Sequence, residues 1–121
     1  MTLWQWFRFA IDGIRIRTDI STHGCCSPPN VINLLGTIET ESALPSGYVE
    51  VMVHEARHSQ GIPHTCGTND RTISEMGAYG VQYTVMLYIG SHWAGATEAE
   101  KAYALNRAAL LRAGPFCNEC E

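Results

Sequence analysis

Two stretches in the first third of the chain carry the pattern of β-strands. Residues 14–20 (IRIRTDI) alternate apolar and polar side chains, which is the two-residue period of a half-buried strand. Residues 31–40 (VINLLGTIET) form a second, more continuously apolar run, in which Gly36 is a candidate bulge. The segment 21–30 between them (STHGCCSPPN) has the composition of a loop. The pattern therefore predicts a small N-terminal sheet.

From about Ser46 the period changes to that of a helix. Apolar side chains then recur at helical spacing at Val49, Met52, Val53 and Ala56. Ser46 is the expected N-cap, and Glu50 places a carboxylate in an early turn, where it suits the helix dipole. Gly61 is expected to end the helix, because glycine readily adopts the left-handed conformation that follows many helices.

The second half of the chain is predicted to be mainly helical. Thr72 and Glu75 match a capping box and open an apolar stripe formed by Met76, Tyr79, Tyr83, Met86 and Leu87. Gly90, Ser91 and Gly95 interrupt this stripe.

A last helix has the clearest boundaries in the chain. Thr97 and Glu100 form a second capping box at its start, and Gly114 and Pro115 mark its end. Together these elements predict one α+β domain over residues 1–121, with an N-terminal sheet and a helical C-terminal half.

Composition narrows the classes of function. The chain has 121 residues, 45% of them apolar, which suits a single domain with a real core. Its net charge is −4 and no basic run occurs, so nucleic acid is not an expected partner. No apolar stretch is long enough to cross a bilayer, and the first ten residues lack the basic start of a signal peptide. Either a cytoplasmic protein or one secreted after removal of a leader is expected, and the oligomeric state is left open.

The segment from His54 to His64 (HEARHSQGIPH) matches the pattern H-E-x-x-H-x-x-G-x-x-H at every specified position. Residues four apart on a helix lie almost above one another, so His54 and His58 can aim two imidazoles at one point. Gly61 lets the chain turn back, and His64 can then supply a third ligand. Zinc prefers tetrahedral nitrogen or oxygen ligands, and a catalytic zinc keeps one position for water.

Glu55 follows His54 directly and can reach a metal-bound water without itself binding the metal. Zinc lowers the pKa of such a water to roughly 7, and Glu55 would act as the general base that accepts its proton. The sequence therefore predicts a Zn²⁺-dependent hydrolase of peptide or amide bonds, with a peptide or protein substrate. The 31–40 run is the candidate edge strand for holding an extended substrate.

This eleven-residue pattern resembles the signature of the metzincin clan of zinc metallopeptidases. The resemblance implies a minimal zincin-like domain in which His54, His58 and His64 bind zinc and Glu55 is the base. It also implies a methionine turn, for which residues 84–88 (TVMLY) offer Met86 and Tyr88, although the surrounding periodicity predicts helix there.

Two acidic residues compete with His64 as the third ligand. Glu75 lies in an element similar to the E-x-x-A of gluzincin-type peptidases, and Asp70 ends a G-T-x-D similar to that of aspzincins. Either carboxylate could instead accept a hydrogen bond from a ligating histidine. The oxyanion of the reaction could be stabilised by a tyrosine, for which the candidates are Tyr79, Tyr83 and Tyr88.

The chain contains five cysteines, Cys25, Cys26, Cys66, Cys117 and Cys120. Cys117 and Cys120 form a lone C-x-x-C, which suits a disulfide, free thiols or half of a structural zinc site. For Cys66, a disulfide to Cys25 or Cys26 is expected. If Cys66 or Asp70 closed the zinc site as a fourth ligand, the chain would be a non-catalytic structural or interaction domain, which is the alternative function. A fragment of a larger enzyme also stays open.

Overall fold

The computed structural model describes residues 2–17, 19, 23–26, 30–35 and 45–117. These residues form a mixed α+β fold with a three-stranded sheet and four helices. The predicted fold class is confirmed at this level, including the N-terminal sheet and the helical C-terminal half. Residues 36–40 of the predicted second strand, with the bulge expected at Gly36, lie outside the described residues, and so does Cys120.

The sheet consists of three short strands, β1 (Gly13–Arg17), β2 (Gly24–Cys25) and β3 (Val31–Leu35). β3 is the central strand. It pairs in parallel with β1, with Gly13 opposite Val31, and antiparallel with β2, with Cys25 opposite Ile32. β2 lies inside the segment predicted to be a loop. The sequence pattern could not predict this strand, because two residues are too few to show a period.

Two expectations about these strands are wrong. β1 forms where alternation predicted a strand, but it is not half-buried: Ile14 and Ile16 are 46% and 53% exposed. β3 cannot offer a free edge to an extended substrate, because both of its edges already carry a neighbouring strand. The edges of the sheet belong to β1 and β2.

The four helices are α1 (Leu3–Ala10), α2 (Pro45–Ser59), α3 (Ala78–Ser91) and α4 (Glu98–Ala113). The aromatic start of the chain was not predicted to be helical, yet Thr2 and Gln5 form a complete capping box at the start of α1. The Thr97 cap of α4 is confirmed, since the Thr97 side chain accepts a hydrogen bond from the Glu100 amide. The capping box is not complete, because the Glu100 side chain makes no return bond to Thr97 in the described structure. None of the helices in the described part of the chain is both long and apolar enough to cross a bilayer.

The boundaries of α2 and α3 differ in part from the prediction. Ser46 lies inside the first turn of α2 and is not its N-cap. The stop at Gly61 is confirmed, with φ at +80°. α3 begins at Ala78 and not near Thr72, because the chain turns at Met76, where φ is +56°. Gly90, expected to break this helix, lies in its last turn.

The core has two parts, and α2 contributes to both. Val53 packs with α3 and α4 in a helical cluster that includes Met86, Ile89 and Ala104. Ala56, three residues later, packs with α1 and β3 in a second cluster around Phe7, Ile32 and Leu34. α2 is therefore held between the sheet and the helical half, and its position is fixed from two sides.

The C-terminal segment is tied to the loop that follows α2. Cys66 forms a disulfide with Cys117, with the two Cα atoms 6.4 Å apart, and Cys25 is bridged to the adjacent Cys26. The expected pairing of Cys66 with Cys25 or Cys26 is wrong. Asp70 reinforces the tie, since its amide donates to the Pro115 carbonyl and its carbonyl accepts from the Cys117 amide.

Candidate metal centre

Three histidines converge at the C-terminal end of α2. His54 and His58, one helical turn apart, present their rings at a centroid distance of 4.9 Å. His64 joins them, 4.6 Å from His58 and 5.2 Å from His54 by ring centroids. One nitrogen from each ring lies within 4.8 Å of the others, so this group could hold a metal ion.

The turn after α2 brings His64 back to the helix. The amide of Gly61 donates to the His58 carbonyl at 2.9 Å, and the left-handed Gly61 then reverses the chain. The Nε2 atoms of His58 and His64 end 3.2 Å apart. Two nitrogen ligands of a tetrahedral zinc ion lie about 3.3 Å apart for ordinary Zn–N bonds, so this spacing fits one ion between the rings.

Each histidine is fixed through its Nδ1 atom. His58 Nδ1 lies 2.7 Å from the Ile62 carbonyl oxygen, and His64 Nδ1 lies 2.8 Å from Oδ1 of Asp70. Carbonyl and carboxylate oxygens only accept hydrogen bonds, so both Nδ1 atoms carry the proton. In the neutral form of either ring the lone pair then lies on Nε2, where a metal can accept it.

His54 is held by Gln82 of α3, with Nδ1 and Oε1 2.8 Å apart. Burial lowers the pKa of His54 to about 4; the hydrogen bond to Gln82 opposes this, and the nearby His58 and His64 add to it. His54 is consequently a neutral imidazole around neutral pH. A neutral ring is the form that binds a metal.

Asp70 stands behind His64. It is fully buried, and while Oδ1 accepts from His64, Oδ2 accepts from the Tyr79 amide at 3.0 Å, at the start of α3. A Cβ added to Gly77 would lie 2.8 Å from Oδ2, so only glycine leaves room for this carboxylate. Asp70 has the position of a residue that orients a ligand, and it is not among the three converging groups.

Glu75 also lies outside the three converging groups among the described residues. Its Oε1 accepts from the Thr65 hydroxyl and, at 3.0 Å, from the Arg71 amide. Thr65 follows His64 directly, so these hydrogen bonds of Glu75 stabilise the loop that carries the third histidine. The structure thus gives both competing carboxylates a supporting place in that loop.

Glu55 lies on α2 beside the histidines. It is 8% exposed, and burial raises the pKa of its carboxyl, opposed by the nearby His58, His23 and His64. Within the described part of the chain no group donates a hydrogen bond to this carboxylate. A buried carboxylate that accepts no hydrogen bond from the described residues, next to a cluster of imidazoles, is chemically available to accept a proton.

Of the three candidate tyrosines, Tyr79 is the one that contacts the histidines within the described structure. Its ring stacks on His64 at 5.0 Å and meets His54 edge-on at 4.5 Å. Burial raises the pKa of Tyr79, with Asp70 and Glu55 acting in the same direction, so its hydroxyl keeps its proton and can donate. Tyr83 accepts from Arg112, and Tyr88 is 54% exposed beside His92.

The methionine turn implied by the metzincin resemblance is absent at residues 84–88. This segment is continuous α-helix within α3, and Met86 is fully buried in the helical cluster. The helical periodicity around Met86 gave the better prediction. Cys66 cannot close the site as a fourth ligand in this structure, because its sulfur is joined to Cys117.

One side of the centre faces an open groove of about 520 Å³. Its walls come from the turn after α2 and from the edge of the sheet: Cys25, Cys26, His58, Gly61, Ile62, Pro63 and His64. Two of the three histidines therefore border space that a small ligand or a segment of chain can enter.

Sequence reasoning missed Glu50 and Gln82 as parts of this site. The sequence pattern explains Glu50 as a favourable charge for the helix dipole, and it gives Gln82 no role. The structure buries both, and Gln82 Nε2 donates to Glu50 at 2.9 Å. A signal was present in the sequence: Glu50 precedes His54 by four residues and so shares its face of the helix.

Comparison with protein-family models, with curated proteins and with solved structures found no match to this chain.

Proposed function

We propose that this chain is a zinc-dependent hydrolase of peptide or amide bonds, with His54, His58 and His64 as metal ligands and Glu55 as general base. The observation that carries the proposal is the convergence of three Nδ1-anchored imidazoles beside a carboxylate that has no hydrogen-bond donor in the described residues. The resemblance of residues 54–64 to the metzincin signature supports the same interpretation.

The donor set favours zinc. Neutral imidazoles suit zinc and other late first-row metals, whereas magnesium and calcium require oxygen ligands. Three histidines are also the ligand number of a catalytic site, which leaves a position open, while a structural zinc takes four protein ligands. No fourth histidine, cysteine or carboxylate joins the group among the described residues, which favours catalysis over a purely structural role.

Zinc bound here would polarise a substrate carbonyl and make a water molecule acidic near neutral pH. Glu55, buried on α2 beside these imidazoles, would accept a proton from that water and return it to the leaving amine. Tyr79, whose hydroxyl stays protonated, is the candidate donor to the developing oxyanion. Asp70, Gln82 and the Ile62 carbonyl keep the three imidazoles in place.

A peptide is the proposed substrate because the groove is open and borders a sheet edge. β2 contributes Cys25 to the wall of the groove, which His58 and His64 also line. The candidate scissile amides are those of proteins, short peptides and cell-wall components. A peptide library that includes cell-wall cross-links covers these classes in one assay.

The test begins with the metal content of the purified protein after zinc loading. One zinc per chain is expected, and a chain that retains no metal would refute the proposal at its first step. Glu55→Gln should then keep the zinc and lose roughly 100-fold or more in turnover, the usual contribution of a general base. Glu98→Gln, which alters an exposed carboxylate on α4, is the matched control and should keep full activity.

A further inference from the structure

Glu50 is a buried carboxylate with no place in the proposed chemistry. It is 4% exposed and lies one helical turn before His54 on α2. Its Oε1 accepts from Arg107 Nε at 2.7 Å and from Gln82 Nε2 at 2.9 Å, and its Oε2 accepts from the Tyr103 hydroxyl at 3.1 Å. Every group around this carboxylate is a donor, as a carboxylate requires.

Gln82 connects Glu50 to His54. A side-chain amide has one end that donates and one that accepts, so by itself it can face a histidine either way. Glu50 removes this choice, because a carboxylate next to the amide demands its NH₂ group. The oxygen of Gln82 must then face His54, at 2.8 Å from Nδ1.

The orientation of Gln82 decides the tautomer of His54. An oxygen opposite Nδ1 requires the proton on Nδ1 and, in the neutral ring, leaves the lone pair on Nε2, the nitrogen that is not bonded to Gln82. A reversed amide would select the other tautomer, with a proton on Nε2 where a metal would bind. His58 and His64 need no such control, because their partners, a carbonyl and a carboxylate, can only accept.

We infer that Glu50 is a positioning residue of the metal centre, which acts through the Gln82 amide to hold His54 in the Nδ1–H tautomer. Arg107 and Tyr103 of α4 keep Glu50 in place, so the last helix supports a metal ligand that it does not touch. The inference rests on the metal centre of the proposed function and is independent of whether the centre hydrolyses anything.

The direct readout is the tautomer of His54 in metal-free protein, measured near neutral pH from the ¹⁵N shifts and long-range couplings of its ring. Wild-type protein should show a protonated Nδ1 and an unprotonated Nε2. Glu50→Met removes the acceptor that orients Gln82, so the Nε2–H form should appear. Zinc affinity, measured by chelator competition, should fall roughly 10- to 100-fold, as for other groups that orient a metal ligand.

Glu50→Gln is the conservative variant. Arg107 and Gln82 both donate to the position of Oε1, so the new amide keeps its oxygen there and turns its NH₂ group to the Tyr103 hydroxyl. The tautomer and the zinc affinity should therefore stay close to those of the wild type. Phe7→Leu, which removes buried apolar volume from the cluster formed by α1 and β3, controls for lost stability and should leave the tautomer unchanged.

A second variant keeps the inference testable if Glu50→Met does not fold. Gln82→Met removes the amide between Glu50 and His54 and leaves Glu50 paired with Arg107 and Tyr103. The Nε2–H form of His54 should appear in this variant too. An Nε2–H form in wild-type protein, or an unchanged tautomer in both methionine variants, would overturn the inference. If the wild type binds no zinc but the His54 tautomer still depends on Glu50, the proposed function is wrong, while the effect of Glu50 on His54 through Gln82 is confirmed.

Discussion

At the scale of single residues, the centre is defined by the groups that the histidines touch on their outer sides. His58 meets a backbone carbonyl, His64 a buried carboxylate and His54 an amide, and each contact places a proton on Nδ1. The motif specifies the three rings but not these partners. Among these partners Asp70 is fully buried, and it accepts hydrogen bonds both from His64 and from the Tyr79 amide at the start of α3.

Asp70→Asn should weaken metal binding. Both neighbours of Asp70 are donors, whereas an asparagine offers one accepting oxygen and one donating NH₂ group. If its oxygen keeps the Tyr79 amide, its NH₂ group faces His64 Nδ1 and favours the tautomer with the proton on Nε2, where a metal would bind. We expect zinc affinity to fall roughly 10- to 100-fold and the free energy of unfolding of the metal-free protein to fall by about 1–3 kcal/mol. Chelator competition and urea unfolding measure the two quantities.

Asp12→Asn provides the control for the Asp70 experiment. Asp12 is exposed, so this variant should match the wild type in both measurements. Gly77→Ala tests the same contact from the other side, because its methyl group would press on the Asp70 carboxylate without removing it. Wild-type zinc affinity in both Asp70→Asn and Gly77→Ala would rule out a role for Asp70 in orienting His64.

At the scale of elements, α2 and its turn could be predicted because local rules decide them. The spacing of His54 and His58 requires a helix if both are to face one point, and Gly61 supplies the left-handed residue that ends it. The start of α3 could not be placed from the capping pattern at Thr72 and Glu75, because the chain turns at Met76 and the Asp70 carboxylate then caps the helix at the Tyr79 amide. The aromatic α1 was missed for a similar reason, since Phe7 is buried by contact with β3 and α2.

Gly90 shows how a local rule can mislead. It was interpreted as an interruption of a helix, whereas it is buried within α3 at a close approach to α4. An added Cβ would lie 2.5 Å from Leu105 Cγ and 3.1 Å from the Leu105 backbone nitrogen. The absence of a side chain at this position therefore serves packing between helices and not a change of direction.

Gly90→Ala should accordingly destabilise the protein. Alanine gains about 1 kcal/mol in helix propensity, but overpacking at a helix contact costs about 1–3 kcal/mol, and the second effect should prevail. Urea unfolding should show a lower midpoint than that of the wild type. Ser91→Ala, at the exposed end of the same helix, should not lower the midpoint. A Gly90→Ala protein as stable as the wild type would show that α4 moves aside freely.

At the scale of the whole molecule, distant parts of the chain meet at the histidines. α2 supplies two of them, the following loop supplies the third, and α3 and α4 supply the network behind His54. The C-terminal segment reaches back to the loop through the Cys66–Cys117 disulfide and the backbone bonds of Asp70. The motif predicted the three histidines themselves. Their contacts with α3, and the support from α4 and the C-terminal segment, became visible only in the folded structure.

Replacing both Cys66 and Cys117 by alanine should lower stability more than it affects the metal. A cross-link across 51 residues acts mainly on the unfolded chain and contributes about 2–4 kcal/mol. Zinc affinity of the folded protein should change less than in Asp70→Asn, because Asp70 keeps its backbone bonds to Pro115 and Cys117. Thermal unfolding and chelator competition test the two halves of this statement. Cys66→Ala alone should match the double variant in both measurements. If the double variant lost as much zinc affinity as Asp70→Asn, the prediction would be contradicted.

The position of α2 between two hydrophobic clusters has a thermodynamic consequence. Opening either cluster removes support from the helix that carries His54 and His58, so the centre exists only while both clusters are intact. Metal binding and cooperative folding are then linked equilibria, and any ion held by the native state alone stabilises the entire domain. At a free concentration one hundred times the dissociation constant, this linkage adds about 2.7 kcal/mol to the free energy of unfolding.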